Sequence, residues 1–445
     1  MTIELNAKQV EAKDKCLEFV HKAHELPYDF TVSGLAGTGK TTTLVELVQS
    51  LQSAGFRPAV CTPTGKAAHV INTKQCVFQA TTLHKRLTKR AIDATKQIHD
   101  RLDALDMKSR EPDGLTLEEQ SEQQQLFIDL DSKANNRLGF KPISSEDFAA
   151  AHDLLIFDEA SMIGAKTYME LIAHIDVPKI FFGDAGQLPP VQDTPAIDLK
   201  SAHVRLVDIM RQNENSGILK LAHHIQKKGD YLPLKDIATF NDITVRKDFT
   251  ADMVEGFEKD HQVLCWRNRT RHEVSRRIRE AIGIRFQGEQ FQFLPRPGEF
   301  IMIDDNDDNR RLLKGQMMRV REVKMYRPDV NPFMAQTLCV DELGNDRSFM
   351  TCLTDLMEGY DIQSDRSETF LLNAMRWAER DAIKVMWPYC LTVHKAQGSE
   401  WDKVLYLGEM PQGNSEWRKH AYTAVTRARD SVVVCSYDFK FDKTG

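Results

Sequence analysis

Residues 34–42 read GLAGTGKTT, a lysine set among glycines and hydroxyls, which is the composition of a loop that wraps phosphate. Gly34, Gly37 and Gly39 free the backbone, so the amides around Leu35, Ala36 and Thr38 can turn toward one anion. Lys40 can reach the terminal phosphates and Thr41 offers a hydroxyl to magnesium. Thr42 follows in the first turn of a helix whose N-terminus favours negative charge. Such a loop needs a strand before it and a helix after it. YDFTVSG and TTTLVELVQSLQSAG read as these, with Gly55 closing the helix.

Metal-assisted phosphate chemistry also needs carboxylates from a neighbouring strand. In HDLLIFDEAS the continuous apolar run LLIF suits a strand buried on both faces, and it ends in Asp158 and Glu159. Asp158 can join Thr41 on magnesium, and Glu159 can serve as general base for the attacking water. VPKIFFGDAGQLPPV repeats the design, with Gly183 and Asp184 after a buried strand and then Gln187, whose amide can meet a γ-phosphate or orient water. Pro189 and Pro190 stiffen the exit. RPAVCTPTGKAAHVI adds a strand, a turn and a helix. These stretches predict an α/β domain with a parallel sheet and ligands at the carboxyl ends of its strands.

The chain has 445 residues, room for two or three domains. Apolar residues make up 41% and charged residues 28%, an ordinary globular balance. A net charge of −6 disfavours a uniformly basic nucleic-acid coat, though not a local basic groove. The eight cysteines form no CxxC pair, so zinc-knuckle spacing is absent and reduced thiols are expected. The start, MTIELNAKQVEAKDK, has no apolar signal core, and no run is long enough to cross a bilayer. A soluble, cytoplasmic protein is expected.

An ordered series of motifs runs from residue 34 to residue 430: GLAGTGKTT, CTPTGKAAHVI, TTLHKRL, IFDEAS, FFGDAGQLPPV, DIMRQN, LTVHKAQGSEWDKVLYL and AYTAVTRARD. This series resembles superfamily 1B helicases, the RecD-like and Dda-like phage enzymes. The resemblance implies two RecA-like parallel-sheet P-loop motor domains that sandwich ATP and Mg²⁺. It also implies a pin-type insertion in the first and a small SH3-like β-barrel insertion in the second. The boundaries expected are 1–84 with 151–204 for the first motor domain, and 85–150 for its insert. The second domain takes 205–297 with 386–445, and its insert 298–385, which can include a tower and hook. The insert at 85–150 reads as partly helical, whereas a pin is usually a β-hairpin. Phe127 and Phe140 are its aromatic candidates, with core packing the better reading for both.

By the same resemblance, Arg427 matches an arginine finger and Arg211, beside Gln212, a phosphate-sensing arginine. Gln9 matches a glutamine that reads adenine, with a helix-surface glutamine as the plain alternative. Gln397 and Glu400 face the nucleotide side, and Gly398, counted with them in the nucleotide site, permits a tight turn. Thr62, Pro63, Thr64 and Lys66 match one nucleic-acid patch and Thr82 with His84 a second, although these hydroxyls can equally cap the helices they precede. Thr392 and His394 face DNA or couple it to the cleft, with a buried structural histidine as the other reading of His394. Asn268 opens a basic helix that either touches DNA or is a solvated face of Arg and Glu.

The implied activity is a 5′-to-3′ DNA helicase and single-strand translocase, acting as a monomer on single-stranded and forked DNA. Replication or recombination proteins are the expected partners, and no membrane is involved. Three other readings stay open: a translocase that strips proteins with weak unwinding, a P-loop metabolic kinase, and a binding protein with a decayed site. The kinase reading lacks any use for TVHKAQGSE and VTRAR. Intact Lys40, Thr41, Asp158 and Glu159 oppose decay.

Overall fold

A computed structural model of the chain describes residues 5–22, 29–74, 78–90, 140–208, 216–229, 231, 239–246, 261–283, 292–305, 307, 310, 312, 314–328, 330–341, 344–358 and 367–435, with scattered positions between 101 and 126. The first sheet has six parallel strands, in the order Thr81–Thr82, Pro58–Thr62, Leu154–Phe157, Lys179–Gly183, Asp29–Gly34 and Val204–Leu206. LLIF and KIFFG are buried throughout because both faces of the sheet are covered. Alternate residues of each strand feed different layers. Leu154, Ile156, Ile180 and Phe182 pack with Leu44, Leu47 and Leu51 of the helix Lys40–Ser53, and with Cys16 and Phe19 of the helix Ala7–His21. Leu155, Phe157 and Phe181 turn the other way, against Leu83, Leu87, Phe148 and Ile172.

The division expected at residue 204/205 falls within the strand Val204–Leu206, which pairs with Asp29–Gly34 and so belongs to the first sheet. The second sheet is also parallel, in the order Cys390–Thr392, His261–Cys265, Trp401–Leu407, Ala428–Cys435 and Ile243–Arg246. The helices Gly217–Lys228 and Trp417–Val425 pack together on it through Leu221, Ala222, Ile225, Ala421 and Val425. Seven described cysteines are buried and free. Among the described residues, no helix is long and apolar enough to cross a membrane.

Each lobe carries an insertion. In the first, Thr88–Arg90 pairs antiparallel with Phe140–Pro142, so the segment leaves and returns through a two-stranded stem. Residues 101–102, 104–105 and 118–123 are helical. Arg101–Glu122 and Lys108–Glu119 ion pairs tie the helical pieces together. Phe127 lies outside the described residues, and Phe140 begins the returning strand of the stem.

The second insertion is a closed five-stranded barrel of Phe300–Ile303, Met317–Met325, Met334–Val340, Asp346–Cys352 and Ile383–Met386. One pair of its strands forms a hairpin. Met334–Val340 and Asp346–Cys352 pair antiparallel over seven positions, with Gly344 at φ 85° in the turn. The helix Glu368–Asp381, capped by Ser367, sets Ala378 against Met334 and Cys352.

The basic helix Asn268–Ala281 has a solvated face of Arg and Glu, as one of its two expected readings has it, and a buried face that neither reading foresaw. Arg271 forms a two-pronged pair with Asp355, at 2.9 and 2.6 Å. Arg279, with no solvent exposure, pairs with Glu299 at 2.7 and 2.9 Å. Arg279 also donates to the carbonyls of Gln292 and Leu294 and lies 4.0 Å from the Trp387 ring centroid. The helix is thus bolted to the barrel region, and its inward charges are spent there. Arg276 and Arg277 pair along the surface with Glu280 and Glu273. Replacing Arg279 with Met strands a buried carboxylate and is expected to destabilise the chain by about 3–5 kcal/mol. Urea titration checks this, and the double change R279M/E299L should recover much of the loss.

Candidate active site

The phosphate loop leaves its strand at Gly34, where a Cβ would meet the Thr38 hydroxyl at 2.5 Å. Gly37 and Gly39 sit at φ 82° and 77°, in the left-handed region that glycine reaches without steric penalty. The helix then starts at Lys40. The Lys40 ammonium donates to the carbonyls of Gly34 and Leu35, at 2.9 and 3.2 Å, and lies 3.9 Å from Asp184. Thr41 donates its hydroxyl to Asp158 at 3.0 Å, so the two expected magnesium ligands are already together. Thr42 is half-buried in the same turn.

Asp158 is buried at the end of LLIF, and its other oxygen accepts the Glu159 amide at 3.0 Å. Glu159 adopts φ 57°, a left-handed backbone uncommon outside glycine and frequent at functional sites. Burial and the adjacent Asp158 push the Glu159 carboxyl above the usual carboxylate range, while Arg427 and Lys40 pull it back. Its Oε2 is shut from solvent and has no hydrogen-bond partner, and neither has Oε1 of the buried Gln187. Two unsatisfied polar atoms beside a phosphate loop call for a ligand. The donor set fits magnesium with a nucleotide: hard oxygens from Thr41 and Asp158, a cation at Lys40, and open backbone amides.

The second sheet closes the cleft. Arg427 is buried and held by the carbonyls of Thr423 and Ser399, both at 3.2 Å, and by the Thr426 hydroxyl at 3.4 Å. Its charge acts on the same Glu159 carboxyl that Lys40 acts on. Tyr422 accepts the Ala36 amide and donates to Asp184, both at 2.8 Å. Leu188 has both backbone groups taken from across the cleft, its N–H by the Thr423 hydroxyl and its carbonyl by Gln397, each at 3.0 Å. Glu400 is exposed just before the strand Trp401–Leu407. Arg211 and Gln212 lie outside the described residues.

Gln9 is buried rather than on a helix surface. Its carbonyl oxygen accepts the Asn6 amide at 3.0 Å, completing a capping box, and its amino group donates to the Thr38 carbonyl at 3.2 Å. One amide thus links the first helix to the phosphate loop.

Of the residues expected along a nucleic-acid track, Thr64 and Thr82 cap their helices by accepting the amides of Ala67 and Lys85, at 3.2 and 3.3 Å. Thr62 is buried and donates to the Thr64 carbonyl. Pro63 is half-buried, while His84 and Asn268 are exposed. Lys66 places its ammonium 4.5 Å from the Trp401 ring centroid, across the lobes. Gly398, at φ 74°, leaves room for Thr64, whose hydroxyl would stand 2.9 Å from an added Cβ. The buried Thr392 accepts the Lys395 amide at 3.4 Å. His394 is half-buried beside His420, with its pKa lowered by burial.

A family model described as AAA domain matches residues 4–244, more than half of the chain. The chain belongs to the AAA domain family. A UvrD-like helicase C-terminal domain matches residues 388–435 of this family member. The ATP-dependent RecD2 DNA helicase of Deinococcus radiodurans is 25% identical over 420 residues, which cover 90% of this chain and 46% of that protein. The chain therefore spans about half the length of this curated relative. A Bacteroides Pif1 helicase, solved with ADP-AlF3 and ssDNA, is 15% identical; the match covers 98% of this chain and 94% of that one, with a TM-score of 0.54. Candida albicans Pif1 is also 15% identical, with coverages of 98% and 96% and a TM-score of 0.51. The solved structures show a shared fold.

Tyr422 and Thr423 were not singled out from the sequence of this family member. Their only signal is their place in AYTAVTRARD, one helical turn before Arg427. The raised Glu159 carboxyl holds its proton longer in the folded state than in the unfolded chain, so stability falls as pH rises above the ordinary carboxylate range. Glu159→Gln removes this effect. The variant should melt above wild type at about pH 8, with the difference closing as the pH is lowered through that window. Thermal scans across pH check it.

Proposed function

We propose that the chain is an ATP-dependent motor on single-stranded DNA, a helicase and translocase of 5′-to-3′ polarity. The observation that carries this reading is that the second lobe, which bears the buried Arg427, closes on the phosphate loop and its Lys40 through Tyr422, which holds both the Ala36 amide and Asp184. Opposed cations around one acidic cleft suit a nucleotide clamped between lobes, where they neutralise charge that develops during phosphoryl transfer. The resemblance of the motif series, the RecD2 relationship and the fold shared with Pif1 enzymes support the same reading.

In this reading the loop from Gly34 to Thr42 would cradle the phosphates with those amides that Tyr422 and the Leu35 carbonyl do not hold, and Lys40 would turn from its loop carbonyls to pair with them. Thr41 and Asp158 would hold magnesium, which would supply positive charge to the phosphate oxygens. Glu159 takes a proton from the attacking water, and Gln187 orients that water. Arg427 and Arg211 stabilise the leaving charge. Gln397 and Gly398 set the lobe spacing, with Glu400 at the same edge. Gln9 would have to release its cap or use its remaining N–H to read adenine.

Pro63, Thr64, Lys66, Thr82, His84, Asn268, Thr392 and His394 would line the strand, with hydroxyls that cap a helix still free to donate to phosphate. Single-stranded and forked DNA are the proposed partners, with replication or recombination proteins beyond them and the monomer as the working unit. A protein-stripping translocase is the second reading, favoured by the helical pieces in the first insertion.

Forked DNA with 5′ or 3′ tails tests the proposal. Unwinding should require a 5′ tail and ATP, and K40A should bind DNA without turnover. Arg427→Ala is expected to lower kcat by about 10³-fold. Unwinding from 3′ tails alone would overturn the polarity. ATP turnover indifferent to oligonucleotide would overturn the motor.

A further inference from the structure

We propose that the Tyr422 hydroxyl is a positioning group of the nucleotide site, tying the phosphate loop and Asp184 of the first lobe to the helix that delivers Arg427 from the second. This deepens the reading of the cleft as an ATP site and rests on it. Tyr422 is fully buried on the helix Trp417–Val425, while its two partners lie 386 and 238 residues away in sequence. The hydroxyl accepts from the Ala36 amide and donates to Asp184 Oδ2, so both its roles are used in one direction across the cleft.

Asp184 has no solvent exposure, and its Oδ1 is taken by the Gly186 amide at 2.8 Å. Oδ2 faces two donors, Tyr422 at 2.8 Å and Lys40 at 3.9 Å. When Lys40 turns to a phosphate, Tyr422 is the donor that stays on Oδ2. The next residue extends the link. Thr423 holds the Leu188 amide with its hydroxyl and the Arg427 Nε with its carbonyl. Consecutive residues of one helix therefore touch the phosphate loop, the GDAGQLPP segment and the arginine. A shift of the phosphate loop is delivered to Arg427 through less than two helical turns.

Tyr422→Phe keeps the buried ring and removes the hydroxyl, leaving the Ala36 amide and Asp184 Oδ2 each short of a partner. A hydrogen bond to a charged group is worth roughly a 10- to 100-fold effect, so kcat for DNA-stimulated ATP turnover should fall by about that factor. Because the hydroxyl registers the lobes and does not grip phosphate, KM for ATP should stay within about threefold. Asp184→Asn should give a similar loss, and the double variant should lose less than the product of the two. Small-angle scattering of the nucleotide-free protein should show a wider cleft in Y422F.

Wild-type kcat in Y422F, a loss confined to KM, or independent effects of Y422F and D184N would overturn the proposal. Should Y422F fail to fold, D184N and Thr423→Val carry the same kcat test. A wild-type chain without ATP turnover would sink the ATP reading itself. The scattering difference then decides separately whether Tyr422 sets the lobe spacing.

Discussion

Carboxylates crowded at the carboxyl ends of adjacent parallel strands are the constraint on which the rest of the molecule depends. Asp158, Glu159 and Asp184 follow two neighbouring strands, and Asp158 and Asp184 are almost wholly buried. Parallel strands aim all their exits at one edge, so the topology itself concentrates this charge. Water is largely excluded, and compensation has to come from cations and directed donors. Lys40 and Thr41 supply part of it from the same lobe, and Arg427 and Tyr422 supply the rest from the other. In the proposed reading, a site balanced by two bodies would respond to a bound nucleotide by changing how those bodies sit. A ligand of high negative charge binds one arrangement better than another, and that difference is what can do work.

The second lobe must then be stiff, or the response would dissipate. The helix Asn268–Ala281 joins its sheet to the barrel through Arg271–Asp355 and Arg279–Glu299, both multiply bonded and largely desolvated. Neither pair need add stability over an apolar contact of the same shape. What each does is fix direction, because a guanidinium fork accepts a carboxylate in few orientations. The barrel is therefore held in a fixed direction to the second sheet. Its turn at Gly315, at φ 86°, lies against the Lys66 stem, so the barrel reaches back to the first lobe beside the Thr64 helix.

The parts legible in the sequence were those whose signal is local. A glycine-lysine-threonine loop between strand and helix and an apolar run ending in two acids each carry their own evidence within about a dozen residues. The parts that were not legible depend on distant partners. Arg271 and Arg279 look like solvent-facing charges until Asp355 and Glu299, at separations of 84 and 20 residues, meet them. Gln9 looks like a surface amide until the phosphate loop folds over it. Tyr422 is one aromatic among many until its hydroxyl finds Ala36 and Asp184. Val204–Leu206 is too short to announce its sheet, and only its pairing with the Asp29–Gly34 strand assigns it. Sequence displays the type of a side chain. It does not display the end of the hydrogen bond that gives the side chain a role.

One peptide shows how closely the two halves of the proposed machine are joined. The Gln397 side chain holds the Leu188 carbonyl, on the segment that carries Gln187 and Asp184. The next residue, Gly398, bends at φ 74° and packs on Thr64 and Ala67, at the head of the helix proposed to grip a phosphate backbone. Any side chain at position 398 would have to displace the Thr64 hydroxyl, and the left-handed backbone would be strained besides. The proposed nucleotide edge and the proposed strand edge of the cleft are thus one residue apart on the second lobe. In the proposed machine, a change in lobe spacing at Leu188 would reach Thr64 through Gln397 and Gly398 alone. Coupling of that kind needs no second conformation of either lobe. It needs only that the lobes move as bodies and that their contacts with each other lie where both ligands would be.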